Sequence, residues 1–168
     1  MLATPRGLDA LHVPFAYEGV VRELVARAKY RDRHAALPWL ASEMVGALGP
    51  SPVRPDVVTW APTTPQRRRH RGFDQAELLA VAIGRALGVP ARARLRRNSR
   101  TTQTGADRAA RVAGPEFVMR RVPDWRTAER VLLVDDVVTT GATLSAAAAA
   151  LRNGGAISIA GVAAARRP

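Results

Sequence analysis

Three stretches in the first half of the chain repeat apolar residues at helical spacing. Residues 18–30 place apolar side chains at intervals of three and four positions, which predicts an amphipathic helix. The same spacing over 34–48 and over 73–88 predicts two further helices, and Gly88 ends the last of them. The first half of the chain is therefore mostly helical by pattern.

Short apolar runs without polar alternation predict strands. These runs lie at 56–60, 89–95, 117–122, 130–134 and 157–163. A helix over 144–153, ended by Gly154 and Gly155, separates the last two. Strands that alternate with helices and lack a polar face are typical of a sheet buried on both sides. The pattern predicts an α/β fold, a mostly parallel twisted sheet flanked by helices.

One long stretch, residues 96–115, is polar, basic and aperiodic. A loop of this length inside a compact domain is usually functional, and we expect it to be mobile. The 168 residues are enough for one domain with a real core. We therefore expect a single domain over 1–168, with a helical lead-in over 1–50.

The charge balance points to anionic partners. The formal net charge is +12, and because Lys29 is the only lysine, arginine supplies nearly all of the positive charge. Such a surface suits phosphorylated metabolites or nucleic acid. A generally basic, solvated surface explains the charge equally well, and the eight aromatic residues give little support to single-strand binding.

The lack of cysteine and of long apolar segments excludes several classes of function. With no cysteine, the chain has no disulfide, no thiolate zinc site and no cysteine nucleophile. No apolar run approaches the length of a membrane span, and the first residues lack the pattern of a signal peptide. We expect a cytoplasmic protein without a membrane partner.

The most informative motif follows the strand 130–134. Asp135 and Asp136 stand where this strand opens into a loop, so both carboxylates can face one ligand. An ionised carboxylate only accepts hydrogen bonds, and two of them match the two hydroxyl donors of a vicinal diol. In open α/β sheets, ligands bind beyond the carboxyl ends of strands.

The loop after the two acids has the features of a phosphate site. Gly141 allows close approach of the backbone, and three threonines offer hydroxyl groups. The loop leads into a helix whose first amides and partial positive charge attract anions. Two carboxylates that can accept hydrogen bonds from a diol, next to a loop that can bind phosphate, predict a site for a ribose 5-phosphate.

Three other interpretations explain this motif less well. A Walker-B aspartate needs a Gly-x4-Gly-Lys-Ser/Thr loop, which the sequence lacks. A phospho-acceptor receiver domain carries its acids near its start, and too few residues follow Asp135 to complete one. The third alternative is purely structural: one threonine caps the helix and both acids are merely solvated. A cap needs only one such residue, whereas the loop has five.

The stretch "VLLVDDVVTTGAT" resembles the phosphoribosyl diphosphate (PRPP) motif of type I phosphoribosyltransferases. The resemblance implies a type I phosphoribosyltransferase-like fold in which Asp135 and Asp136 act at the ribose hydroxyls. It also implies Mg²⁺ as cofactor, held through PRPP and water near these acids. The remaining substrate-binding residues implied by the motif are Val137, Val138, Thr139, Thr140, Gly141, Ala142 and Thr143.

A second strand end, after residues 56–60, is rich in arginine. Four arginines fall between positions 67 and 71, and guanidinium groups bind phosphate oxygens in a fork. By resemblance a loop at this point holds the diphosphate, with Arg69 and Arg71 as catalytic candidates. The alternative without a function is that these arginines form a solvated basic segment before a helix. The loop candidates are Ala61, Pro62, Thr63 and Thr64.

"RRRHRGFDQAELLA" resembles the ComF group, which is linked to competence and DNA uptake. Three features depart from that group: the cysteine-rich zinc module is missing, Asp74 stands for the usual Asn, and Gly114 stands where another Asn is expected. An aspartate that serves the base in 6-oxopurine transferases is replaced by Thr139, which argues against that substrate.

The resemblance implies a Mg²⁺-dependent enzyme that transfers ribose 5-phosphate from PRPP to an unknown acceptor, a nucleobase or another compound. In such an enzyme, residues 96–115 close as a lid with Arg100 or Gln103. Two alternatives stay open: a non-catalytic PRPP or nucleotide sensor that binds DNA through its arginines, and a basic accessory protein with a vestigial site. Nucleic acid as a partner and a homodimer as the assembly also stay open.

Overall fold

A computed structural model describes residues 4–27, 36–50, 54–98, 115–121, 123, 125 and 128–167. The helices are α1 Gly19–Arg27, α2 Ala36–Ala47, α3 Pro65–Arg71, α4 Gln75–Leu87 and α5 Ala142–Asn153. The strands are β1 Ala10–His12, β2 Phe15–Ala16, β3 Val57–Trp60, β4 Leu95–Arg97, β5 Phe117–Met119, β6 Arg130–Val138 and β7 Ser158–Arg166.

The main sheet is parallel throughout, in the order β1-β7-β6-β3. The two-residue strand β2 pairs with the same edge of β7, further along the chain than β1. Trp60 of β3 pairs with Val134 of β6, which in turn pairs with Val162 of β7. This register brings the carboxyl ends of β2, β3, β6 and β7 to one edge of the sheet.

Helices cover both faces of the sheet, because the central strands are apolar on both sides. Leu132 of β6 packs in one core with residues of α1, α2 and α4, such as Leu40 and Leu79. The next residue, Leu133, points the other way and packs against α5 and the β4–β5 pair. The predicted α/β fold with a parallel sheet flanked by helices is confirmed.

The structure differs from the sequence prediction in five elements. Strand β6 does not end at residue 134 but runs to Val138, so Asp135 and Asp136 lie within a strand and not where it opens into a loop, because the pairing with β7 continues beyond the apolar run. The segment 89–95 is not a strand: only Ala91 forms a bridge, to Val58, and β4 begins at Leu95. Strands β1 and β2, of three and two residues, were not predicted because such short runs show no periodicity. Helix α3 was not predicted because it is polar on all sides and buries no side chain.

Strands β4 and β5 form an antiparallel pair, separate from the main sheet. They flank the predicted loop 96–115, of which the structure describes only 96–98 and 115. Arg100 and Gln103 lie outside the described residues, so their assignment stays a prediction. None of the helices in the described part of the chain is long and apolar enough to cross a membrane.

Candidate functional site

A cavity of about 410 Å³ opens at the carboxyl edge of the main sheet. Its walls come from the second half of β6 and the turn after it, from the segments that follow β2, β3 and β7, from α3, from the starts of α4 and α5, and from β4. The lining residues are Tyr17, Ala61, Pro62, Thr63, Arg67, Arg71, Asp74, Gln75, Ala76, Arg97, Asp135, Asp136, Val137, Thr139, Thr143 and Arg167.

The two adjacent aspartates both line this cavity. Both lie in the second half of β6, after its fully apolar run. Each carboxylate accepts a hydrogen bond from the backbone amide of the next residue. The amide of Asp136 donates to Asp135 Oδ1 at 2.9 Å, and the amide of Val137 donates to Asp136 Oδ1 at 2.8 Å. The backbone therefore holds two carboxylates next to each other in the second half of β6.

The environment of Asp135 favours its neutral form. Burial raises the pKa of Asp135 well above its ordinary value of 3.8, and the Asp136 carboxylate beside it and the Asp74 carboxylate add to the effect. The side chain of Asp135 is 9 % exposed. A ligand that brings positive charge or hydroxyl donors would relieve this unfavourable crowding of acids.

The turn between β6 and α5 forms a second, smaller hollow of about 20 Å³ beside the large cavity. Gly141 begins α5 in the left-handed conformation, at φ 78°. A side chain on Gly141 would meet Pro5 Cγ at 2.8 Å. The Thr140 hydroxyl accepts from the Ala142 amide at 3.3 Å. The turn can therefore bring backbone amides close to an anion.

Helix α3 presents arginines to the cavity. Thr64 caps the helix by accepting from the Arg67 amide at 3.2 Å, Pro65 occupies its first turn, and Gly72 ends it in the left-handed conformation. Arg67 and Arg71, one helical turn apart, line the cavity. Arg69 is exposed and lies outside the lining.

Asp74 braces the loop that follows β3. Its Oδ2 accepts from the Thr63 amide at 2.8 Å, while its Oδ1 accepts from the Ala76 amide at 3.1 Å and so caps α4. Burial raises the pKa of Asp74, although these two hydrogen bonds oppose the shift. One carboxylate thus ties the loop of residues 61–64 to the start of α4.

Arg97 brings the β4–β5 pair to the same cavity. Its guanidinium stacks on the Phe117 ring, with Cζ 5.5 Å from the centroid. Desolvation lowers the pKa of Arg97, as does repulsion from Arg67, whereas Asp135 opposes the shift. Arg97 therefore lies within the field of both the aspartates and the α3 arginines.

The structure brings together most of the residues that the sequence singles out. Eight line the large cavity: Ala61, Pro62, Thr63, Asp135, Asp136, Val137, Thr139 and Thr143, together with the catalytic candidate Arg71. Val138, Gly141 and Ala142 line the smaller hollow. Thr64 and Thr140 instead accept hydrogen bonds from nearby backbone amides, and Arg69 points elsewhere.

Several lining residues were not among the predicted site residues. Arg67 could have been predicted as a site residue from its four-residue spacing to Arg71, once α3 is recognised as a helix. The Thr-Pro pair at the start of α3 and the Gly at its end are sequence signals for such a helix. Tyr17 and Arg167 carried no local signal, because only the pairing of β2 with β7 places them at the site. Asp74, Gln75, Ala76 and Arg97 complete the set.

The sequence profile of the phosphoribosyl transferase domain matches residues 75–168, more than half of the chain. The chain belongs to the phosphoribosyl transferase domain family. The matched region of this phosphoribosyl transferase domain holds Asp135, Asp136 and the turn into α5. No curated protein sequence matches the chain significantly.

Two solved structures share the fold. One is described as the allosteric regulatory enzyme of purine biosynthesis, with 23% identity, a TM-score of 0.53 and coverage of 77% of this chain and 25% of that one. The other is glutamine PRPP amidotransferase from B. subtilis complexed with ADP and GMP, with 24% identity, a TM-score of 0.52 and coverage of 76% and 26%. This chain thus spans about a quarter of the length of these two proteins.

Proposed function

We propose that the carboxyl-edge cavity binds PRPP and that the chain transfers its ribose 5-phosphate group to an acceptor. The observation that supports this most is the joint placement of two aspartates and two arginines around one cavity, with a glycine-containing helix start in the hollow beside it. In this reaction the bond from the anomeric carbon to the diphosphate oxygen breaks and the diphosphate keeps the electron pair. A bond from the acceptor to the same carbon replaces it.

Each part of the site has a proposed role. Asp135 and Asp136 accept hydrogen bonds from the two ribose hydroxyls. The turn of residues 139–141 and the first amides of α5 hold the 5-phosphate. Arg67 and Arg71 neutralise the diphosphate as it leaves, which matters because the transition state separates charge. Arg71 is retained from the sequence prediction, and Arg67 takes the place of Arg69.

Mg²⁺ is the proposed cofactor. The donor set suits this ion, because it prefers oxygen ligands and keeps several of its waters. It would lie near Asp135 and Asp136, held through oxygens of PRPP and through water. Bound there, it would supply positive charge to the leaving diphosphate.

We also propose that the segment after β4 closes over the bound substrate. Arg100 and Gln103 belong to this segment, and a closed lid would exclude water from the reacting carbon. The support is the placement of β4 and β5, which flank the segment and bring Arg97 to the cavity. The assignment of Arg100 and Gln103 rests on the sequence resemblance.

The ComF-type assignment, with its link to competence and DNA uptake, is part of this proposal and rests on the resemblance of residues 67–80. The alternative is a non-catalytic PRPP or nucleotide sensor that binds DNA. Arg96, Arg120 and Arg121 favour it, because all three are exposed on or beside the β4–β5 pair. A sensor would bind PRPP without releasing diphosphate, which separates the two functions.

Diphosphate release from PRPP and Mg²⁺, measured with a panel of nucleobases and amines, tests the enzyme directly. We expect Arg71→Gln to lower kcat/KM about a hundredfold, because it removes a charged donor to the leaving group. Arg69→Gln is the matched control on the same helix and should change kcat/KM by about twofold at most.

Equal losses in the two variants would contradict the role of the cavity-facing arginine. Binding of PRPP without diphosphate release for any acceptor would favour the sensor over the enzyme. Steady-state kinetics on the wild type and the two variants answers the first question, and calorimetric titration of PRPP into the wild type answers the second.

A further inference from the structure

Residues 5–9 lie along α5 and run in the direction opposite to the helix. At the last turn of α5, the side chain of Asp9 is held at both oxygens. Its Oδ1 accepts from Arg152 Nη2, and its Oδ2 accepts from the Ile159 amide at 2.7 Å. The Asp9 amide also donates to the Ile159 carbonyl oxygen at 2.9 Å. We call residues 5–9 the strap, and Asp9 anchors one end of it.

The strap stays in contact with α5 as far as the first turn of the helix. The Gly7 carbonyl oxygen accepts from Arg152 Nε at 3.3 Å, and a Cβ on Gly7 would lie 3.1 Å from Ala148 Cβ. At the other end of the strap, Pro5 is buried, and it occupies the space beside Gly141 where a Cβ would lie 2.8 Å from Pro5 Cγ. The strap therefore connects the last turn of α5 to the turn that precedes the helix.

That turn, between β6 and α5, has little packing of its own. Thr139 and Thr140 are exposed, and the hydrogen bond from the Ala142 amide to the Thr140 hydroxyl is long, at 3.3 Å. Backbone amides bind an anion tightly only where the loop is already ordered, because ordering it on binding costs affinity. Gly141 lines the small hollow and Pro5 does not, so Pro5 supports the turn from outside the hollow.

We propose that Pro5 and Asp9 are positioning residues for 5-phosphate binding. Pro5 holds the turn of residues 139–141 in the conformation that binds the phosphate, and Asp9 fixes the far end of the strap so that Pro5 stays in place. Neither residue touches the substrate. The inference rests on the proposed function, because the phosphate in question is the 5-phosphate of PRPP. It has a selective consequence: the strap supports the 5-phosphate end of the site, whereas α3 serves the diphosphate end.

The test uses ligands that carry one end of PRPP each. Ribose 5-phosphate, diphosphate with Mg²⁺, and PRPP with Mg²⁺ are titrated by calorimetry into the wild type and into Pro5→Ala. Because the ordered turn is lost, we expect Pro5→Ala to raise the Kd of ribose 5-phosphate and of PRPP about fivefold. The Kd of diphosphate should change by about twofold at most. A purely structural role for Pro5 would not distinguish the two ends of the site.

Asp9→Ala tests the far end of the strap. We expect the same selective loss of affinity for ribose 5-phosphate and PRPP, although Asp9 lies at the opposite end of α5. This variant also keeps the proposal testable if Pro5→Ala does not fold, which thermal unfolding would show. Asp56→Ala is the matched control: Asp56 likewise accepts from an arginine guanidinium and a backbone amide, both of Arg130, but it is not part of the strap. It should leave all three affinities unchanged.

Two results would overturn the inference while leaving the proposed function standing. The first is an unchanged affinity for ribose 5-phosphate in either folded strap variant. The second is an equal loss of affinity for diphosphate and for ribose 5-phosphate, which would mean that the whole cavity is distorted. If the wild type binds neither PRPP nor ribose 5-phosphate, the proposed function itself falls, and the inference with it.

Discussion

At the residue scale, the adjacent carboxylates of Asp135 and Asp136 set the chemistry of the cavity. Two like charges at the end of a buried strand repel each other, and Asp74 adds a third carboxylate to their surroundings. The chain nevertheless fixes both of them with backbone amides. Such an arrangement is unfavourable without a ligand, and it is typical of binding and catalytic sites.

Replacement of Asp135 by Asn tests this unfavourable arrangement. The pKa of Asp135 is raised in the folded chain, so stability is lost as the pH rises from 3.8 through that pKa, and the loss is complete above it. Below the ordinary value of 3.8 the carboxyl is neutral in both states and the effect vanishes. We expect Asp135→Asn to be at least as stable as the wild type at neutral pH, with the difference shrinking as the pH falls. Denaturant unfolding across pH measures it.

Asp56→Asn is a control for which the pKa shift, and therefore the expected change in stability, has the opposite sign. Hydrogen bonds from Arg130 lower the pKa of Asp56 to about 2, so its carboxylate stabilises the fold above pH 3.8 and this contribution is lost as the pH falls towards 2. Asp56→Asn should therefore be less stable than the wild type at neutral pH. A loss of stability at neutral pH in Asp135→Asn as well would contradict the raised pKa of Asp135.

At the scale of elements, the turn between β6 and α5 depends on Gly141. Its φ of 78° disfavours any side chain, and Pro5 from the N-terminal segment occupies the space that a Cβ would need. The turn, the helix start and the N-terminal segment are therefore packed together at the proposed 5-phosphate site.

Gly141→Ala should both destabilise the fold and weaken PRPP binding. Left-handed strain costs about 1–3 kcal/mol, and contact with Pro5 adds to it by displacing the turn. Gly88→Ala is the matched control, because Gly88 has φ 65° at the end of α4 but no neighbour within 4 Å of a Cβ. Thermal unfolding and PRPP calorimetry on both variants check this; equal effects on PRPP affinity would contradict the role of the turn.

The elements also show what the sequence could predict. β6 and α5 were predictable, because a long apolar run, two acids and a glycine-containing turn lie next to each other in the chain. Helix α3 was not, because its seven residues carry no apolar face and only its ends, Thr64-Pro65 and Gly72, mark it. Without α3, the sequence does not show that Arg67 and Arg71 share one face and that Arg69 lies outside the cavity lining.

At the scale of the whole molecule, the parallel sheet assembles the cavity from distant parts of the sequence. Tyr17 and Arg167 meet because β2 pairs with β7, a contact across nearly the full length of the chain. No local pattern encodes this contact, since a two-residue strand has no periodicity of its own. The PRPP half of the candidate site was therefore predictable from one motif, whereas the placement of Tyr17 and Arg167 at the cavity depends on the fold.

Isothermal titration of PRPP with Mg²⁺ into the wild type and into Asp136→Asn tests the central claim most directly. Asp56→Asn, at the opposite end of the sheet, is the control for loss of a carboxylate. We predict saturable binding to the wild type and to Asp56→Asn, and none to a folded Asp136→Asn. Binding of equal affinity to all three proteins, or no binding to the wild type, would contradict the assignment of the site.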